Sequence, residues 1–165
     1  MTKEVFEREV AAAWAELMTL VGSLSDEQLS TPTDAAGWRV QDHIAHLAAW
    51  ELTKIAVLRG LPRDSALGVP IGNDDFFTVN EDLRQRHAHL TAAQVSAFSQ
   101  QTHQELLGLL AALPEATLLA PIDEAFPNNG MTLSRPVPVW QVLAGDTFEH
   151  YREHIPWIAA IVRLR

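Results

Sequence analysis

The sequence predicts an all-α protein: a four-helix bundle with long loops near 60–73 and 120–138. Three observations carry that expectation. Apolar residues recur every three or four positions over four long stretches, proline and glycine punctuate the gaps, and no stretch alternates apolar and polar residues as a half-buried strand would. A length of 165 residues with 47% hydrophobic side chains supports one core, so a single domain over 1–165 is expected and disorder is excluded.

The first helix is expected over 3–24, with Val5, Phe6, Val10, Trp14, Leu17, Met18 and Val21 stepping along one face. Ser25 and Gln28 frame a capping box that opens a short helical turn, which Pro32 stops. A turn through Asp34 and Gly37 leads into a second helix over 38–59, ended by Gly60 and Pro62. Asp42 lies in its first turn, where a carboxylate suits the positive end of the helix dipole. Residues 60–73 read as a loop, a candidate lid. Asn73 with the two aspartates after it is an N-cap for a helix to about Leu90. Thr91 and Gln94 form a second capping box after a kink or break, and the helix then runs to about Leu113, where Pro114 ends it. Residues 120–138, rich in proline and asparagine, read as loop. The last helix starts near Pro138, a favourable first-turn residue, and runs toward the C-terminus with a bend expected at Pro156.

Composition excludes several function classes. Twelve Lys and Arg against 21 Asp and Glu give a net charge of −9. With no Lys/Arg cluster, the chain lacks the basic face expected of a nucleic-acid or membrane-surface binder. No apolar run approaches a bilayer span. Lys3, Glu4, Glu7, Arg8 and Glu9 interrupt any signal-peptide core, so a cytoplasmic protein is expected. The chain has no cysteine, which removes disulfides, thiolate nucleophiles and Cys-type zinc sites.

Seven histidines are the unusual feature. On the last helix Val139, Leu143, Thr147, His150, His154, Trp157 and Ile161 share one stripe, expected to be the buried one. His150 and His154 are thus stacked one turn apart, a spacing that lets two imidazoles reach one metal ion from a single helix. Two unpartnered neutral imidazoles are costly to bury, which points to a ligand or a hydrogen-bonding partner. A third donor must come from another helix, and His43 and His46 are the candidates. His46, among alanines and Leu47, is expected to face inward, and His43 to lie nearer the rim. Glu51, Asp146, Glu149 and Glu153 are candidates for orienting the imidazoles. His87, His89 and His103 are expected at the surface or in caps.

The stretch Gly37-Trp38-Arg39-Val40-Gln41-Asp42-His43-Ile44-Ala45-His46-Leu47 resembles the Trp-x-x-x-Asp-x-x-x-His-Leu start of helix two in the DinB/YfiT-like superfamily of metal-binding four-helix bundles. His150-Tyr151-Arg152-Glu153-His154 is similar to that superfamily's His-x-x-x-His on the last helix. With the helix order, the likeness spans nearly the whole chain. It implies that His46, His150 and His154 are the three ligands of one divalent ion, with His43 outside the set. Zinc or nickel suits an imidazole-rich site, with iron or manganese as further options, and three protein ligands with an open position is the catalytic arrangement. The resemblance implies water or a thiol activated against a small electrophilic substrate. Superfamily activities include mycothiol- or bacillithiol-dependent transfer and isomerisation, and in a related branch hydrolysis of a reactive natural product. The mycothiol-dependent isomerase branch carries glutamate where His150 stands, which argues against placing this chain there, and no basic cluster offers a seat for an anionic thiol. The alternative class is a non-catalytic metal-binding stress-response or interaction module. Hydrolysis needs a general base, and Glu149 or Glu51 are candidates without a motif behind them. The chain lacks the Glu-x-x-His pairs of a di-iron bundle and the Gly-x-Ser-x-Gly of a serine hydrolase. The resemblance also implies a homodimer, with Phe76, Phe77 and Trp140 as candidates for interface or pocket wall.

Overall fold

Helix α1 (Lys3–Gly22) begins where the Val5 N–H donates to the Thr2 hydroxyl oxygen, and α2 (Asp26–Ser30) opens with the Ser25–Gln28 capping box. In α3 (Val40–Leu58) the Asp42 carboxylate accepts from the Arg39 backbone N–H and from its guanidinium, at 2.7–2.9 Å. A 3₁₀ turn (Arg63–Ala66) follows, then α4 (Phe76–His87), α5 (Ala92–Ala112), α6 (Glu115–Leu119), α7 (Ile122–Ala125), α8 (Val139–Ala144) and α9 (Phe148–Arg163). The computed structural model describes residues 1–68, 71 and 76–163, and among these there is no strand. The protein is all-α, as the periodicity predicts.

The four long helices α1, α3, α5 and α9 share one core. Phe6, Val10 and Leu17 come from α1, Ile44 and Leu47 from α3, Leu106 and Leu110 from α5, and Tyr151 and Ile158 from α9. Helix α3 is the axis: almost every side chain on it is buried, and it packs against α4, α5 and α9 while α1 lies on α9. A smaller cluster of Trp50, Leu67, Val79 and Leu83 clamps α4 and the 3₁₀ turn onto α3.

Three expectations change. The last helix is two, α8 and α9, separated by Gly145-Asp146-Thr147. Bonds from the Asp146 and Thr147 N–H groups to the Leu143 and Ala144 carbonyls tighten the chain there into three-residue turns. The expected loop 120–138 is not all loop, since α7 is a short helical turn started by Pro121, and α6, started by Pro114, precedes it. On the expected inward stripe Trp157 is 46% exposed. The expected break at Thr91 is present, with α4 ending at His87 and α5 capped by Thr91 and Gln94. The expected Asn73 cap lies outside the described residues. The two long connections are fastened together: the Arg63 N–H donates to the Asn129 carbonyl at 2.9 Å. At Gly130, φ +74, an added Cβ would stand 3.2 Å from Pro62. Among the described residues no helix is long and apolar enough to cross a membrane.

Candidate metal centre

Helices α3 and α9 lie against each other, and their histidines meet. One ring nitrogen from each of His46, His150 and His154 falls within 4.8 Å of the other two. His46 Nε2 and His150 Nε2 are 3.2 Å apart. The three ring centroids are 4.7–5.0 Å from one another, and His46 and His154 are stacked at an interplanar angle of 26°. Spacing on α9 supplies two of these rings and α3 the third, as the sequence suggests.

Burial lowers the pKa of all three, and for His46 and His154 the neighbouring imidazoles lower it further. At His150 the carboxylates of Asp146 and Glu153 pull the other way without overcoming burial. Neutral imidazoles with free lone pairs are the form a divalent ion requires. His46 Nδ1 and His150 Nδ1 are buried without a hydrogen-bond partner, so the only hydrogen-bond contact of these two rings among the described residues is the one between their own Nε2 atoms. The donor set fits a metal ion.

His43 is not at the rim. It is 4% exposed, and its Nδ1 lies 3.0 Å from His154 Nδ1. One of those nitrogens carries the shared proton and the other accepts it. With Nδ1 taken by His43, His154 has Nε2 left for the cluster. On the far side His43 Nε2 stands 3.5 Å from Asp34 Oδ2, an ion-pair distance that does not qualify as a hydrogen bond. Burial lowers the His43 pKa and Asp34 opposes the shift. Asp34 is held by its own turn, where Oδ1 accepts the Ala36 and Trp38 N–H groups at 2.8 and 2.9 Å. Gly37, at φ +85, lets the chain turn there. The indole of Trp38 then packs on both His43 and His46, with ring centroids 5.3 Å away in each case. The Trp-x-x-x-Asp-x-x-x-His spacing thus has a physical content: Asp42 fixes the helix start, and Trp38 covers the histidines one and two turns in.

The cluster forms the floor of a cavity of about 700 Å³, within the range of small-molecule sites. Trp38, Phe77, Asn80 and Trp157 form its walls, and Asp34, Glu81 and Glu153 are its carboxylates. Phe77 is therefore a wall residue, 82% exposed, whereas Trp140 packs on the core.

The other expected orienting groups are elsewhere. Asp146 forms an ion pair with Lys54 at 2.5 Å, and Glu149 is exposed. Glu51 is buried against His103 and Tyr151: His103 Nδ1 is 3.0 Å from Glu51 Oε1 and 3.2 Å from the Tyr151 hydroxyl, which donates to Glu51. Burial pushes the Glu51 carboxyl well up, with Asp146 adding to it, and brings His103 down to about 4. Neither Glu51 nor Glu149 lines the cavity, so the general bases expected from sequence are displaced from it. His103, expected at the surface, is 3% exposed and stacks on Trp14 at 3.8 Å. Its phase with Ser99, Leu106 and Leu110 on α5 was the available signal. His87 is half-buried, bonded to the Leu83 carbonyl and stacked on Phe98, while His89 is exposed.

No curated protein matches the chain significantly in sequence. Among solved structures, an uncharacterised protein of Clostridium difficile 630 superposes with a TM-score of 0.76 at 11% identity, covering 99% of this chain and 96% of that one. The colibactin self-resistance protein ClbS, solved in complex with a dsDNA, gives 0.74 at 11% identity over 98% and 96%. An uncharacterised protein of Escherichia coli UTI89 gives 0.73 at 13% identity over 98% and 93%. At these identities the likeness is one of fold. The sequence profile of the DinB superfamily matches residues 9–154, which take in α3 and the first turns of α9 through His154, and the chain belongs to the DinB superfamily.

Proposed function

We propose that the chain is a single DinB-type domain that holds one divalent ion, zinc or nickel in first place, on His46, His150 and His154. On this reading it acts as a hydrolase or thiol-dependent transferase on a small electrophilic substrate bound in the cavity above them. One observation carries it: three neutral imidazoles converge within 4.8 Å on the floor of a cavity of about 700 Å³. When bound, such an ion supplies Lewis acidity and can bring the pKa of a coordinated water to about 7.

The chain's own groups do the rest. His43 orients His154 through their shared proton, and Asp34 stands behind His43 to take up positive charge. Trp38 and Trp157 flank the histidines and keep bulk water from them. Glu153, exposed at the cavity wall and one residue before His154, is the carboxylate free to take a proton from a bound molecule.

Elemental analysis of the untagged protein beside the triple variant His46→Ala, His150→Ala, His154→Ala tests the reading. About one metal per chain, absent from the variant, supports it; no metal in either after reconstitution overturns it. Metal bound without turnover of esters, epoxides or thiol acceptors would select the non-catalytic module. ClbS was solved with dsDNA, but here the described cavity lining has no Lys or Arg and the net charge is −9, which favours a small molecule as partner. A duplex retained at physiological salt would reverse that preference. Light scattering checks the homodimer that the sequence resemblance implies, and the mass of one chain would dispose of it.

A further inference from the structure

We infer that the cavity selects a substrate with a cationic group, an ammonium or amidinium carried a few ångströms from its reacting end. This rests on reading the cavity over the histidines as the substrate site. Its described wall offers three carboxylates and no Lys or Arg. The carboxylates are not equivalent. Glu81 is matched by Arg84 through bonds of 2.6 and 2.7 Å and also accepts from Gln85, so its charge is largely spent. Asp34 stands beside the neutral His43, accepts two backbone N–H bonds and feels Arg84 at longer range. Glu153 is exposed and has no ion-pair partner among the described residues, so it carries most of the wall's unbalanced charge.

The aromatic groups are placed to use that field. Trp38 and Trp157 converge on one imidazole, their centroids 5.3 and 6.3 Å from that of His43. Phe77 and Trp157 are the exposed large apolar side chains of this wall. Indole and phenyl faces beside an unpaired carboxylate are the chemistry that binds an organic cation, because the ring quadrupole attracts it while its alkyl groups leave water. The chain's net charge of −9 adds a long-range field of the same sign. In the metal-free protein an anionic substrate of equal size meets repulsion from the wall carboxylates, whereas a bound divalent ion would draw its charged end to the histidines.

The test uses three probes of one shape: choline, its neutral isostere 3,3-dimethylbutan-1-ol and the anion 3,3-dimethylbutanoate. Ligand-observed NMR titration on metal-free and metal-loaded protein reads their affinities. In the metal-free protein choline should bind about tenfold tighter than the alcohol, with the carboxylate weakest. Glu153→Gln should cut the choline preference about fivefold, and Trp157→Leu should remove most of it. Both side chains are exposed, and circular dichroism confirms that each variant folds. Equal affinity for choline and the alcohol, or no binding of either up to about 100 mM, overturns the inference. The metal content of the same samples separates the two readings: a choline preference in a chain that takes up no metal sinks the metal proposal alone, and metal without the preference sinks this one alone.

Discussion

Between His43 Nδ1 and His154 Nδ1 there is one proton for two nitrogens, and its position sets what each ring can do elsewhere. A His154 that presents an Nε2 lone pair must hold its proton on Nδ1 and give it to His43, which then carries its own proton on Nε2, toward Asp34. On this account His43→Ala leaves three ligands in place but loosens one, lowering metal affinity about 10–100-fold without changing the stoichiometry. Competition against a chromophoric chelator measures this, and unchanged affinity would show that His43 is only packing. The Glu51–His103–Tyr151 group acts on stability instead. His103 titrates at about 4 when folded and near 6.5 when unfolded, so the unfolded chain binds more protons between those values. Its contribution is complete above about pH 6.5 and is lost as pH falls through about 4. Glu51 has the opposite sign: its raised pKa favours the folded state in acid, and that contribution fades as pH rises. Urea midpoints should therefore rise less, or fall more, between pH 4 and 7 in His103→Gln than in the parent, and an unaltered slope would refute the assignment. The i,i+4 spacing alone marked His150 and His154. It could not reveal His43, because contact with His154 depends on how α3 crosses α9, which no local pattern records.

The interruption between α8 and α9 was illegible for a different reason. Val139 and Leu143 stay in phase with His150 and His154 because the turns at Gly145-Asp146-Thr147 keep the chain's direction while changing its hydrogen bonds. Glycine, aspartate and threonine are poor helix formers and were the only local sign of a break. Asp146 at this joint reaches Lys54 on α3, whose ammonium is almost wholly enclosed. Removing the aspartate leaves that charge without its partner, so Asp146→Ala should cost about 3 kcal/mol. Lys54→Met replaces the charge by an apolar side chain of similar length and should cost about 1 kcal/mol or less. Denaturant unfolding of the two variants decides; equal losses would mean that the ion pair contributes through its geometry and not through the buried charge. Capping behaved differently. Ser25–Gln28 and Thr91–Gln94 are three-residue relations within one turn, and both close as spaced.

At the scale of the whole molecule, the bundle and its order were legible because four periodic stretches must bury one core between them. The cavity was not, since its walls come from the 34–38 turn, α3, α4 and α9, brought together only by packing. A ligand that binds the folded chain alone stabilises it by mass action, and at about a hundred times Kd the gain is about 2.7 kcal/mol. Zinc or nickel should therefore raise the melting temperature of the parent and leave that of the triple histidine variant unmoved. An equal rise in both would place the ion elsewhere. On the proposed small-molecule reading the same comparison in the presence of duplex DNA should show no shift, and a shift would reverse that preference.

The stack of His103 on Trp14, 3.8 Å between centroids and 9° from parallel, has an optical consequence. An imidazolium over an indole face quenches its emission, whereas a neutral imidazole does so far less. Trp14 thus carries a fluorescent signal of the protonation state inside the bundle, while Trp38 and Trp157 at the cavity respond to whatever occupies it. Single-tryptophan variants would divide the emission of this chain into two channels, one for the core and one for the ligand site.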